Sequence, residues 1–193
     1  MKYTSCIFYL CLCIFFTTAC NEQKSSTNTQ VDYQALVKSL ETQEQKLAFL
    51  QGMYDTDERL RRELPKIIQS HGYKSEEHNK IEQELKEFTE QSIEKSIAYL
   101  QVWGFPDKQT LRSNSAETPF HMLHHSDDPQ LKREYFPFLW QAFKDRDIPG
   151  SAIAKYLNKL YKLETGESMV IKGGYTEVFE VDTLLRSLNI YVN

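Results

Sequence analysis

Glycine and proline are scarce, 7 and 6 in 193 residues, which excludes collagen-like and low-complexity architectures. No charge of one sign dominates. Lys plus Arg number 23 against 27 acidic residues, a net charge of −4, so nothing draws the chain electrostatically to a polyphosphate backbone and nucleic acid is not an expected partner. No phosphate-cradling loop, dinucleotide fingerprint or serine-nucleophile elbow occurs. Cysteine is confined to the N-terminus, at Cys6, Cys11, Cys13 and Cys20, which excludes a disulfide framework and leaves stability to a packed core. What is present, 40% hydrophobic and 26% charged residues, fits one ordinary folded domain.

The first 19 residues read as a signal peptide: Lys2, an apolar run from Ile7 to Phe16, and the small-residue exit Thr17-Thr18-Ala19. The run is about half the roughly 20 residues that a membrane span requires. Processing leaves Cys20 as the only cysteine, at the cleavage point itself. Thr18-Ala19-Cys20 resembles a bacterial lipobox, with Thr17 where such signals usually carry an aliphatic residue. The resemblance implies lipidation of Cys20, a membrane anchor, and a place in the bacterial cell envelope, on the outer membrane or the periplasmic face. The alternative is ordinary cleavage, giving a secreted protein with a free thiol. Residues 20–30 contain no aliphatic or aromatic side chain and read as a tether, so the folded domain is expected over 31–193.

That domain is expected to be mainly α, with five to six helices and a C-terminal β-hairpin. Leu36, Leu40, Leu47, Leu50 and Tyr54 form a helical stripe that Leu60, Leu64, Ile67 and Ile68 prolong to Gly72, with a kink or break expected at Pro65. Ser75 caps a second long helix that Gly104-Phe105-Pro106 stops. Residues 107–117 read as a polar loop. Three further helices follow: a short one from Thr118-Pro119, one capped by Asp128 with a bend at Pro137, and one over 151–164. Gly173-Gly174 between Met169–Lys172 and Tyr175–Glu180 predicts a hairpin at about 168–180. A last turn over Thr183–Leu188 and a strand over 189–193 are expected to end the chain.

Three histidines of five lie in His121-Met-Leu-His124-His125-Ser-Asp127-Asp128. One helical turn separates His121 from His125, the spacing at which two imidazoles share an ion such as zinc, with Asp127 or Asp128 as oxygen donor. The simpler reading makes His121 or His124 a surface residue and His125 a half-buried, hydrogen-bonded one. His78, in a first turn beside Glu76 and Glu77, reads as solvated. Asp57 precedes Arg61 by four residues, a solvated salt bridge in the ordinary case. In the functional case Asp57 orients the Arg61 fork toward a carboxylate or phosphate. Trp103-Gly-Phe105 and Tyr135 to Trp140 read as core, or as the lining of a groove.

The order Asp57-Glu58-x-x-Arg61, Gly104-Phe105-Pro106, His124-His125 and Asn158-Lys159 resembles a bacterial domain family of no assigned function. That family carries Asp-Gln-x-x-Arg, Gly-aromatic-Pro, Gln-His, Asp-Arg and then Tyr-Gly-Thr-Gln. Residues 55–180 span the resemblance. Glu58 and His124 each replace Gln, Asn158-Lys159 replaces Asp-Arg, and the last motif survives only as Gly174-Tyr175-Thr176. The resemblance implies that Asp57, Arg61 and His125 come from separate helices to one polar ligand site with Asn158 as a further candidate. Because Asn158 cannot shuttle a proton, it also implies binding without catalysis. The expected function is therefore a lipid-anchored envelope domain that binds a protein or small ligand. The alternatives are a metal-dependent or acid-base hydrolase using His125, with His121 and Asp127 or with Asp57, and a small acidic immunity or inhibitor protein.

Overall fold

A computed structural model describes residues 32–111, 113–169 and 178–192. The signal peptide and the whole tether fall outside the described residues, as do residues 170–177 of the expected hairpin. The described residues are mainly helical: α1 (Tyr33–Lys38), α2 (Gln43–His71), α3 (Glu76–Trp103), α4 (Lys108–Leu111), a 3-10 turn (Asn114–Glu117), α5 (Thr118–His125), α6 (Pro129–Lys144), α7 (Gly150–Thr165) and α8 (Val178–Ser187). Among them there is no strand, and no helix is long and apolar enough to cross a membrane.

Several expectations are corrected. The first stripe is two helices, because Thr42 and Gln45 form a reciprocal capping box that satisfies the donors opening α2. No break occurs at Pro65, which lies within α2, nor at Pro137 within α6. Residues 107–117 are not plain loop: Asp107 accepts from the amides of Gln109 and Thr110 to start α4, and Ser113 caps the 3-10 turn. Residues 178–180, assigned to the second hairpin strand, instead open α8, and residues 190–192 are irregular rather than strand. Other boundaries match. Ser75 and Asp128 cap α3 and α6, while Gly104 and Gly166 end α3 and α7 at positive φ.

Two apolar clusters hold the helices together. The larger joins Leu100 of α3 to Phe120 and Leu123 of α5, Phe136 and Leu139 of α6, Ile153 and Leu157 of α7, and Leu184 of α8. The smaller sets Val37 of α1 against Leu50 and Met53 of α2 and Tyr99 of α3. Beyond Leu60 no residue of α2 is buried, and a cleft opens there between α2, α3 and the turn between α5 and α6.

Candidate functional site

The buried residues of α2 are Leu50, Met53, Asp57 and Leu60, separated by three, four and three. Asp57 thus occupies a core-facing position and is 5% exposed. A carboxylate there needs partners. Arg61, one turn on, donates through Nε to both carboxylate oxygens at 2.9 Å. His125, the last residue of α5, brings Nε2 to 3.5 Å from Oδ2. Burial is the largest single influence on Asp57 and pushes its carboxyl upward. The imidazole and guanidinium beside it outweigh burial and hold the carboxyl below its ordinary value, so it is a carboxylate at neutral pH.

Two lysines from later helices fix the end of α5. The Lys132 ammonium on α6 is fully buried; it donates to the carbonyls of Leu123 and His124 at 2.9 and 3.1 Å and lies 4.0 Å over the Tyr156 ring. Lys159 on α7 donates to the His125 carbonyl at 3.0 Å and pairs with Asp127 at 2.9 Å. Three successive carbonyls at the negative end of the α5 dipole are therefore held by cations. Burial pushes the Lys132 amine down to about 7, with Lys159 adding to the shift.

Asp57, Arg61 and His125 are thus brought together, from two helices rather than three because Asp57 and Arg61 share α2. Asn158 is buried on α7, where its Oδ1 accepts from the Met169 amide. The next residue, Lys159, is the one that reaches the α5 terminus. His121 stays partly exposed, Nε2 3.9 Å from Glu117 Oε2 and its ring beside Tyr54. Asp127 is exposed and paired with Lys159, and Asp128 caps α6. Among the described residues no three His, Cys, Asp or Glu side chains converge on a point where a metal ion could sit, so His121, His125 and Asp127 do not form one zinc donor set. His124 stacks on Phe120, and burial pushes its imidazole down to about 3, so it is neutral. His78 corrects its solvated reading: it is 1% exposed, edge-on to Tyr73, with Nε2 3.4 Å from Glu82.

Arg61, His125 and Lys159 line a cleft of about 810 Å³ between α2, α3 and the α5–α6 turn. Its two hydroxyls are committed to the backbone: Thr89 donates to the Leu85 carbonyl, and Ser126 accepts from the Asp128 amide. The aromatic segments line smaller recesses, of about 220 Å³ at Trp103 and Phe105 and about 420 Å³ at Phe136 and Trp140. Lys132 is the contributor that sequence reasoning missed. Its signal was its place four residues before Phe136 and seven before Leu139, on the buried face of α6. Comparison of the chain with protein-family models, curated proteins and solved structures finds no match.

Proposed function

We propose that this chain is a lipid-anchored domain of the bacterial cell envelope, tethered through Cys20, that binds a ligand or partner in the cleft beside Asp57, Arg61 and His125 and does no chemistry on it. The observation that carries this reading is Arg61. Its Nε is held by a buried carboxylate, while Nη1 and Nη2 have no acceptor among the described residues and the side chain lines the cleft. An arginine oriented from behind, with its far edge unoccupied, is built for recognition. The likeness to the uncharacterised bacterial domain family belongs to this proposal and gains support from the convergence of Asp57, Arg61 and His125.

The test has two parts. Mass spectrometry of the mature N-terminus, with Cys20→Ala as control, should find a diacylglyceryl cysteine; an unacylated wild-type chain refutes the anchor. A thermal-shift screen of carboxylates, phosphates, neutral sugars and cationic peptides should find a stabilising ligand whose effect Arg61→Lys removes. A screen with no such ligand refutes the binding site.

The contact between Asp57 and His125 favours a second reading, an acid-base hydrolase in which Asp57 orients His125 as a base toward water. Turnover of any ester, amide or phosphoester that His125→Gln abolishes, with melting unchanged, would put this reading first.

A further inference from the structure

The cleft is mixed in character, and the positions of its charges restrict what fits. Leu64 of α2 with Leu85 and Ile93 of α3 are half-buried along its length, an aliphatic strip between two helices. Arg61 stands on α2 one turn before Leu64, one edge of its guanidinium taken by Asp57 and the other offering two parallel N–H groups. Lys159 nearby is already divided between the His125 carbonyl and Asp127. Four carboxylates, Glu82, Glu90, Asp127 and Asp128, also line the cleft with one further cation, Lys86, so its acids outnumber its lysines and arginine by four to three.

From this arrangement we infer that the cleft binds a single carboxylate carried on an aliphatic body. The acid group docks end-on against Nη1 and Nη2 of Arg61, and the body rests on the neighbouring Leu64 and Leu85. This rests on the binding reading above and names its ligand class. One unoccupied guanidinium edge matches one carboxylate in bidentate geometry. The surrounding acids repel a second negative charge, so pyrophosphates and nucleotides are selected against. Both a free aliphatic acid and the C-terminus of an apolar peptide present this chemistry.

The two sources are separated by titration calorimetry on the full chain in non-ionic detergent. The probes are 4-methylpentanoate against 4-methylpentanamide, and acetyl-Ala-Leu-Leu with a free against an amidated C-terminus; inorganic pyrophosphate is the polyanion. At least one acid should bind about tenfold more tightly than its amide, the worth of a charged bidentate hydrogen bond. Arg61→Lys should abolish that preference, and the preferred acid identifies the source. The acid–amide comparison needs no variant, so it survives any folding defect in Arg61→Lys. Equal binding of acid and amide, tighter binding of pyrophosphate, or no binding of either acid at millimolar concentration overturns the inference. A neutral or cationic ligand found in the thermal-shift screen and lost in Arg61→Lys would leave the binding reading standing while removing this one.

Discussion

Arg61 Nε stands 2.9 Å from each oxygen of Asp57, so a single N–H is shared by a whole carboxylate. The guanidinium is gripped by its side, and the grip comes from the residue one helical turn earlier. A pair at this spacing on an exposed helix face contributes only a few tenths of a kcal/mol. Here one partner is buried, so deleting the other leaves a desolvated charge, and Arg61→Ala should cost about 1–3 kcal/mol. Urea unfolding of the variant beside wild type measures it.

Asp57 also predicts an acid dependence. Its folded carboxyl lies below the ordinary value, so its contribution is complete above the unfolded carboxylate range and is lost as pH falls through the folded one. Stability attributable to Asp57 should therefore begin to fall below about pH 4 and decline further as the folded carboxyl takes up its proton. Asp57→Asn should be less stable than wild type at pH 7 and approach it at pH 3, read from unfolding midpoints across that range.

Lys132 runs the other way. Its folded amine is pushed down to about 7, whereas an unfolded lysine holds its proton until near 10.4. Between these values the unfolded chain binds more protons, so this residue makes stability rise with pH from about 7 to about 10 and adds nothing to the slope below that window. Lys132→Met keeps most of the volume without the charge, and its unfolding free energy should change less with pH across that interval than that of wild type.

Tyr156, fully buried on α7, donates to the Lys132 carbonyl at 2.9 Å and lies beneath the Lys132 ammonium. Burial raises its phenol far above the ordinary value, so the hydroxyl is a donor at every pH the fold survives. Tyr156→Phe removes this bond while the Lys132 carbonyl keeps its helical partner, a loss of about 1 kcal/mol and roughly 2–4 °C in melting temperature. Differential scanning calorimetry reads it directly.

The capping box at the start of α2 gives a local test far from the cleft. Thr42→Ala leaves the Gln45 amide without its side-chain acceptor and should cost about 0.5–2 kcal/mol by chemical denaturation. Acid or amide binding in the cleft should be unchanged in the same variant.

Helix type and most boundaries were legible because apolar spacing and caps agree over most of the chain, but eight α-helices stand among the described residues where five to six were expected, α1 and the short α4 being the ones missed. Ser75, Gly104, Asp128 and Gly166 all mark boundaries that the fold uses. The split between α1 and α2 was also written, as Thr42-x-x-Gln45, but the apolar stripe runs across it and hides it. The site was half legible. The spacing of Asp57 and Arg61 paired them correctly, but their reading as solvated overlooked that Asp57 lies seven residues after Leu50 and three before Leu60, on the stripe itself. Lys132 shares the buried register of Phe136 and Leu139 and was hidden only by its charge, while His78 meets Tyr73, five residues before it, across the turn that precedes α3. The hairpin failed at residues 178–180 because Val178-Phe-Glu-Val181 leads into Leu184, Leu185 and Leu188. Val181 and these leucines bury against the larger cluster at helical spacing, and tertiary burial overrides β-propensity.

The lysine clamps on α5 set an order of dependence along the chain. His125 meets Asp57 across a junction whose backbone is tied down by residues 132 and 159, both of them later in sequence. A chain that stops after α5 holds every side chain of the Asp57, Arg61 and His125 group but none of the ties that aim the last of them. Recognition in the cleft is in this sense a readout of completed folding: the pocket is presented only once α6 and α7 have docked.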